Sequence, residues 1–463
     1  MKRSFVVIFG LVLLVLPMLI PLPGLPPAGQ VTLGIFLMAA LFWIKEPIPI
    51  YATSLLVILS QCFLLSAHSP LVKWGGFPYP PADAPSAASF TGILANPTII
   101  LFLGGFMLAA GAVQFSAEKN LVRVLLAPFG SKPSRLIFGV LLSTALLSAF
   151  MSNTATTAMM ITMVVPLFAS LKAEDPLRTA LALAIPLGAN LGGIATPIGT
   201  PSNAIAVAAL AEAGKPISFA VWMAIGFPIV LVSLAAGWVL LLKLFPPMAT
   251  EVKIDVAGRF DRSPKAIAFY GVAVLTILGW ATESLHGIKS GTIAFIPIAL
   301  LPAFGIIGRE QIRGLSWEVL WLVAGGLSLG NSLRDTGLAD WVIAGVPWEA
   351  LPILAIYLLF LILGVALSTF LSNTVTAAIL VPVAITLGST DALPEGGFVF
   401  LAAALAMATS FGMSLPISTP PNAIAISTGV VETRHMIRLG ILMGVIGVPV
   451  ILLAARFLWP MIL

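Results

Sequence analysis

The stretch FMSNTATTAM, residues 150–159, sets Ser152, Asn153, Thr154, Thr156 and Thr157 inside a long apolar region with no charge beside them. A second stretch, FLSNTVTAAI at 370–379, repeats the pattern with Ser372, Asn373, Thr374 and Thr376. A polar group left unsatisfied in hydrocarbon costs several kcal/mol, so such clusters persist only where protein or a watery cavity covers them. The two stretches therefore predict interruptions of the helices around a polar site.

Composition sets the class in which that reading makes sense. The chain has 463 residues, 59% of them hydrophobic and 9% charged, with a mean hydropathy of +1.09. Soluble domains carry about 25% charged residues. Runs long enough to cross a bilayer recur from end to end, whereas a β-barrel would show short alternating segments. The expected fold is an all-α polytopic membrane protein. Cys62 is the only cysteine, so no intrachain disulfide forms. The pI of about 9.4 reflects excess Lys and Arg on one membrane face, and nucleic acid is not expected as a partner.

The predicted spans are 4–24, 29–45, 48–66, 96–117, 176–212, 217–245, 264–284, 290–307, 317–337, 393–430 and 436–459. The N-terminal run lacks an obvious small-x-small cleavage site and reads as a retained first span, not a signal peptide. Two more apolar stretches, 135–171 and 352–388, are each interrupted near the middle by Ser-Asn-Thr. Spans 176–212 and 393–430 break at ATPIGTPSNAIA (195–206) and LPISTPPNAIA (415–425). With the N-terminus cytoplasmic and each Ser-Asn-Thr stretch returning to its own side, 18 of 23 Lys and Arg fall inside. The five outside are Lys73, Lys215, Lys289, Arg334 and Arg456. That bias supports the topology, and it is equally compatible with a re-entrant hairpin or two full crossings.

The chain also repeats itself. Ser152-Asn153-Thr154 maps on Ser372-Asn373-Thr374 at an offset of 220, and Gly104-Gly105 on Gly325-Gly326 at 221. Thr200-Pro201 and the following SNAIA map on Thr419-Pro420 and PNAIA at 219. WIKE (43–46) has an echo in WATE (280–283). Each unit holds an odd number of crossings, so the second copy enters from the opposite face: an inverted-topology repeat, a hallmark of secondary transporters. The expected organisation is a first helix over 1–28 and repeats over 29–250 and 251–463.

Chemistry follows from the breaks. Free carbonyl oxygens at interrupted helix ends suit a hard cation such as Na⁺, while new helix N-termini favour anions. Ser152 and Ser372 are suited to cap the second arm of each hairpin. The glycine pairs read as close helix packing, and Glu46 and Glu283, beside Trp43 and Trp280, as interfacial. The segments 117–129 and 339–348 look amphipathic and are expected along the membrane surface. All 18 Asp and Glu and the three His fall in loops or at span ends. Proton coupling usually needs a titratable group inside the membrane, and an enzyme needs an activated nucleophile or a metal site. An enzyme is not expected. A channel is disfavoured by the paired tips and inverted repeats, although channels also use re-entrant loops.

The doubled Ser-Asn-Thr motifs, each followed by a [Gly/Ser]-Thr-Pro-x-Asn break, resemble the divalent anion/sodium symporter family, including its INDY-type dicarboxylate transporters. WIKEPIPI (43–50) resembles that family too, and the likeness covers nearly the whole chain. It implies eleven transmembrane helices with two re-entrant hairpins, and a homodimer working by an elevator movement in a prokaryotic inner membrane. It also implies Na⁺-coupled uptake of C4-dicarboxylates such as succinate, malate and fumarate. One Na⁺ site would use Ser148, Ser152, Asn153 and Gly199, the other Ser368, Asn373 and Ser418. Substrate would meet Ser152, Asn153, Thr154, Thr200, Pro201, Ser372, Asn373, Thr374, Thr419 and Pro420. Ser202 stands where the pattern often has a second Pro, as Pro421 does in the other half; Ser368 keeps a hydroxyl where relatives can have Thr. The alternatives are Na⁺-independent dicarboxylate exchange, or citrate or sulfate as substrate.

Overall fold

The computed structural model describes residues 3–70, 85–252, 259–390 and 392–463. Lys2, Lys73 and Lys253, counted above for topology, lie outside them. Among the described residues the chain is helical, with no strand. The first half holds α1 (Arg3–Leu19), α2 (Pro27–Lys45), α3 (Ile50–Leu64), α4 (Pro97–Gln114), α5 (Ala117–Leu126), α6 (Pro133–Ser148), α7 (Asn153–Phe168), α8 (Leu177–Gly192), α9 (Pro201–Glu212) and α10 (Phe219–Leu244). The second half holds α11 (Pro264–Ala281), α12 (Phe295–Ala303), α13 (Trp317–Asp335), α14 (Leu338–Ala344), α15 (Ile353–Phe370), α16 (Asn373–Thr386), α17 (Gly397–Thr409), α18 (Pro420–Ser427) and α19 (Thr433–Leu453). Shorter helical turns join them.

Seven described stretches are both long and apolar enough to cross a bilayer, fewer than the eleven spans expected. The difference has local causes. Helices α1 and α3 have 17 and 15 residues. The α12 stretch is divided after Ile293, and α13 carries Glu318, Arg334 and Asp335 near its ends. The Ser-Asn-Thr stretches form helix–turn–helix units, α6–α7 and α15–α16. Their arms have 16, 16, 18 and 14 residues. At 1.5 Å per residue, 16 residues reach about 24 Å, short of the roughly 30 Å hydrocarbon layer, while the 18-residue α15 is itself one of the seven long apolar stretches.

The glycine pairs lie where helices touch. A Cβ on Gly104 would fall 2.9 Å from the Ala294 carbonyl, and one on Gly325 2.6 Å from the Ser54 Cα. Helix α3 is thereby pressed onto α13, and the contact is pinned by a buried polar triad. Gln61 donates to the Ser328 carbonyl (2.9 Å) and the Ser332 hydroxyl (2.8 Å), and accepts from the Ser328 hydroxyl (2.6 Å). Gly325→Ala is expected to cost about 1–3 kcal/mol through overpacking. Gly271→Ala, where nothing lies within 4 Å, should not destabilise. Thermal unfolding of the two variants in detergent checks the difference.

Helix α5 carries a buried acid. Glu118 is 5% exposed, and its Oε2 has no hydrogen-bond partner. It borders an apolar cavity of about 390 Å³ shared with Phe150 of the first hairpin and Tyr270 of α11. Burial raises its pKa from the ordinary 4.5, against smaller lowering effects from a backbone hydrogen bond and Lys119. A carboxyl raised on folding contributes stability below its ordinary pKa and loses it as pH rises through the raised value. Glu118→Gln is therefore expected to leave thermal stability unchanged below pH 4.5 and to raise it at pH 8. Unfolding temperatures across that range test the sign.

Candidate functional site

Both hairpin tips are capped by their own sequence. Ser152 accepts a hydrogen bond from the Ala155 N–H at 3.2 Å, and Ser372 one from the Val375 N–H at 3.2 Å. Each cap lets a helix begin in mid-chain without orphaned donors at that position. Behind each cap lies a serine. The Ser148 hydroxyl is 2.6 Å from Asn153 Oδ1 and 2.9 Å from the Ala189 carbonyl. The Ser368 hydroxyl is 2.6 Å from Asn373 Oδ1 and 2.7 Å from the Thr409 carbonyl. One proton faces two acceptors in each cluster, so oxygen lone pairs are in surplus. That is a donor set for a small hard cation.

The breaks in the long helices are built by two asparagines of the repeated motif. Asn203 Nδ2 donates to the carbonyls of Gly193 (2.9 Å) and Thr196 (2.8 Å). Asn422 Nδ2 donates to those of Met413 (2.8 Å) and Leu415 (2.9 Å). A proline follows each break at the first position of the new helix, where an N–H would have no partner in any case. The first break is drawn tight. A Cβ on Gly199 would fall 2.5 Å from the Gly193 carbonyl, so that position admits glycine alone without rearrangement. In the second break Ser418 takes the place of Gly199, and its hydroxyl donates to the Thr369 carbonyl at 2.6 Å. Thr196 makes the corresponding tie in the first half, donating to the Ala149 carbonyl. Each hairpin is thus fastened to the break of its own half. Trp222 of α10 supports the first break from outside, donating to the Ile194 carbonyl at 3.1 Å.

These elements meet around a cavity of about 750 Å³. All ten positions expected to meet substrate line it: Ser152, Asn153, Thr154, Thr200, Pro201, Ser372, Asn373, Thr374, Thr419 and Pro420. Gly199 and Ser418 line it too, whereas Ser148 and Ser368 are fully buried behind the tips. The first turns of α7, α9, α16 and α18 all border the space. Each helix start carries about half a positive charge, so the four present roughly two charge equivalents to a ligand. Among the described residues, no Lys, Arg or His lines the cavity.

Other residues of the cavity were not among the expected site positions. Asn190, fully buried in α8, reaches across to the second half. Its Nδ2 is 3.3 Å from Thr419 Oγ1 and 3.4 Å from Asn422 Oδ1. Phe102 and Phe106 of α4 form an edge-to-face pair, with ring centres 5.8 Å apart, on one wall. Glu46, read as interfacial, borders the cavity with Glu318, and both are exposed to water. Glu283 is instead buried, accepting hydrogen bonds from the Ser290 hydroxyl and N–H and pairing with Lys289 at 3.4 Å.

Replacing Asn203 by Asp would turn an acceptor toward the buried carbonyls it now donates to. Asn203→Asp is expected to cost about 2 kcal/mol or more. Faster hydrogen exchange confined to residues around 193–200, together with a lower unfolding temperature, would report it.

The whole chain, residues 1–463, matches the family described as the sodium:sulfate symporter transmembrane region. The sodium-dependent dicarboxylate transporter SdcS of Staphylococcus saprophyticus is 31% identical over 505 residues, covering 98% of this chain and 91% of that protein. The protein of the same name from Staphylococcus aureus strain MRSA252 is also 31% identical, over 95% of this chain and 88% of its own. Among solved structures, the Alcanivorax borkumensis YdaH transporter is similar at 14% identity and a TM-score of 0.49. That alignment covers 91% of this chain and 97% of the other.

Proposed function

Because the chain belongs to the sodium:sulfate symporter family of membrane transporters, the divalent anion/sodium symporters, we propose that it couples inward Na⁺ movement to uptake of C4-dicarboxylates such as succinate, malate and fumarate. The observation that carries this reading is the convergence of four helix starts and two Ser-Asn oxygen clusters on one cavity with no basic side chain among the described residues. The names of the bacterial relatives support the substrate class.

A dianion entering that cavity meets no Lys or Arg among the described residues. Na⁺ held by Ser148, Ser152, Asn153 and Gly199, and a second Na⁺ held by Ser368, Asn373 and Ser418, would supply the missing charge. The Asn and Thr side chains and the first-turn N–H groups would orient the two carboxylates. Asn153 and Asn373 belong to both sets. Filling the cation sites orders the tips and thereby builds the anion site, which makes binding of the two ligands mutually dependent. Glu46 and Glu318 at the cavity favour the approach of cations over anions.

The same reading takes α6–α7 and α15–α16 as re-entrant hairpins of two inverted repeats, 29–250 and 251–463, after a first helix over 1–28. With the N-terminus cytoplasmic, hairpins and broken helices would move together against the remaining helices in a homodimer, in the manner of an elevator in a prokaryotic inner membrane.

Labelled-succinate uptake into proteoliposomes tests the proposal, comparing inward Na⁺ and K⁺ gradients in empty and succinate-loaded vesicles. The expected result is uptake into empty vesicles only with Na⁺, reduced at least about 100-fold by Asn153→Ala as a shared ligand is lost. Uptake only into loaded vesicles, indifferent to Na⁺, would make the protein an exchanger. Citrate and sulfate as competitors define the substrate range.

A further inference from the structure

A second polar cavity, of about 640 Å³, lies away from the central one, where the α7–α8 and α18–α19 connections meet the end of α10. Its lining is rich in charge, and the partners of those charges can be followed one by one. Asp175, 4% exposed, accepts hydrogen bonds from the N–H groups of Leu177 (2.9 Å), Met248 (3.0 Å) and Ala249 (2.9 Å). Its carboxylate is fully engaged by backbone. Glu432 is engaged by Arg434, at 2.7 Å. The remaining acid, Glu174, is exposed and forms no ion pair among the described residues.

Two guanidinium groups are left over. Arg178 stacks on the Phe168 ring at 5.6 Å and donates to the Ala173 carbonyl at 3.2 Å, yet its buried Nε has no partner. Arg438 has neither an ion pair nor a hydrogen bond among the described residues. Both line the cavity. A half-buried arginine such as Arg178 is costly without a carboxylate, and the forked donors of both side chains match phosphate and carboxylate oxygens.

The surroundings of Arg438 decide between a free anion and a lipid. Arg438 is exposed near the start of α19, and on the same side of that helix stand Ile441, 54% exposed, and Val445, 66% exposed. An apolar groove of about 590 Å³ between α15 and α19 is lined by Ile437, Gly440, Ile441, Gly444 and Val445, and so begins beside Arg438. A charged cavity thus adjoins a hydrocarbon-lined channel on one helix. We propose that this composite site binds an anionic membrane phospholipid, its phosphate held by Arg178 and Arg438 and an acyl chain lying in the α15–α19 groove. Basic pockets at the ends of membrane helices recognise headgroups by this combination of charge and depth. The site is independent of the transport reading.

The test is titration of the purified full-length protein in detergent by microscale thermophoresis. The probes are dioctanoyl phosphatidylglycerol, dioctanoyl phosphatidylcholine and inorganic phosphate. Phosphatidylglycerol should bind saturably and more tightly than phosphatidylcholine. Arg178→Gln with Arg438→Gln should weaken it on the order of tenfold, since each basic residue near the surface adds to the attraction. Arg438→Gln alone, which spares the Ala173 contact, should weaken it about threefold, and Arg438→Lys should retain most of the affinity. Equal binding of the two lipids, or wild-type binding of phosphatidylglycerol by the double variant, would overturn the proposal. Inorganic phosphate that displaces the lipid at similar concentration would also overturn it, by making the cavity a soluble-anion site.

Discussion

A helix that stops inside hydrocarbon leaves donors and acceptors that water cannot reach, and everything distinctive in this protein depends on how those groups are satisfied. The solution is the same in both halves. One asparagine, Asn203 or Asn422, folds its amide back over the carbonyls of the preceding break. A serine cap closes the facing hairpin tip, and a hydroxyl tie fastens tip to break. Proline at the start of α9 and α18 removes an N–H that would otherwise need a partner. With the structural groups satisfied in this way, the first-turn N–H groups and the Ser148 and Ser368 clusters remain available to ligands.

This arrangement lets a lining without Lys, Arg or His among the described residues serve both signs of charge. Fixed Lys or Arg in the cavity would hold a dianion whether or not Na⁺ was present, and coupling would be lost. Helix starts and amides are weaker and directional, so they orient an anion without retaining it alone. The buried serines sit one layer behind the amides they touch, which joins the oxygen clusters to the surface that a substrate would meet.

Much of the fold was legible because the chain states its unusual features twice. The Ser-Asn-Thr tips, the Thr-Pro-x-Asn breaks and the glycine pairs stand out from an apolar background, and the shared offset gives each copy meaning. Local pattern failed where a role depends on distant partners. Asn203 and Asn422 lay within the quoted motif, but their acceptors sit in irregular backbone that no periodicity describes. Asn190 is a lone amide in a helix, its partners are more than 200 residues away, and position 409 of the other half holds Thr. Glu46 looked like any acid at a helix end beside a tryptophan, and only the fold sets it at the cavity with Glu318 of α13. The seven long apolar stretches are fewer than the eleven expected spans because apolar length alone does not reveal where α1 and α3 stop or where α12 divides.

The Asn190 amide has a mechanical consequence. It is stitched to Thr419 and Asn422 at the edge of the cavity, α7 packs on α18, and α9 packs on α16. Prising one half from the other would strip that amide of its partners and expose two unwound segments to lipid. The two breaks therefore behave as a single rivet through the middle of the molecule. Load applied to one hairpin is carried through that rivet to the other.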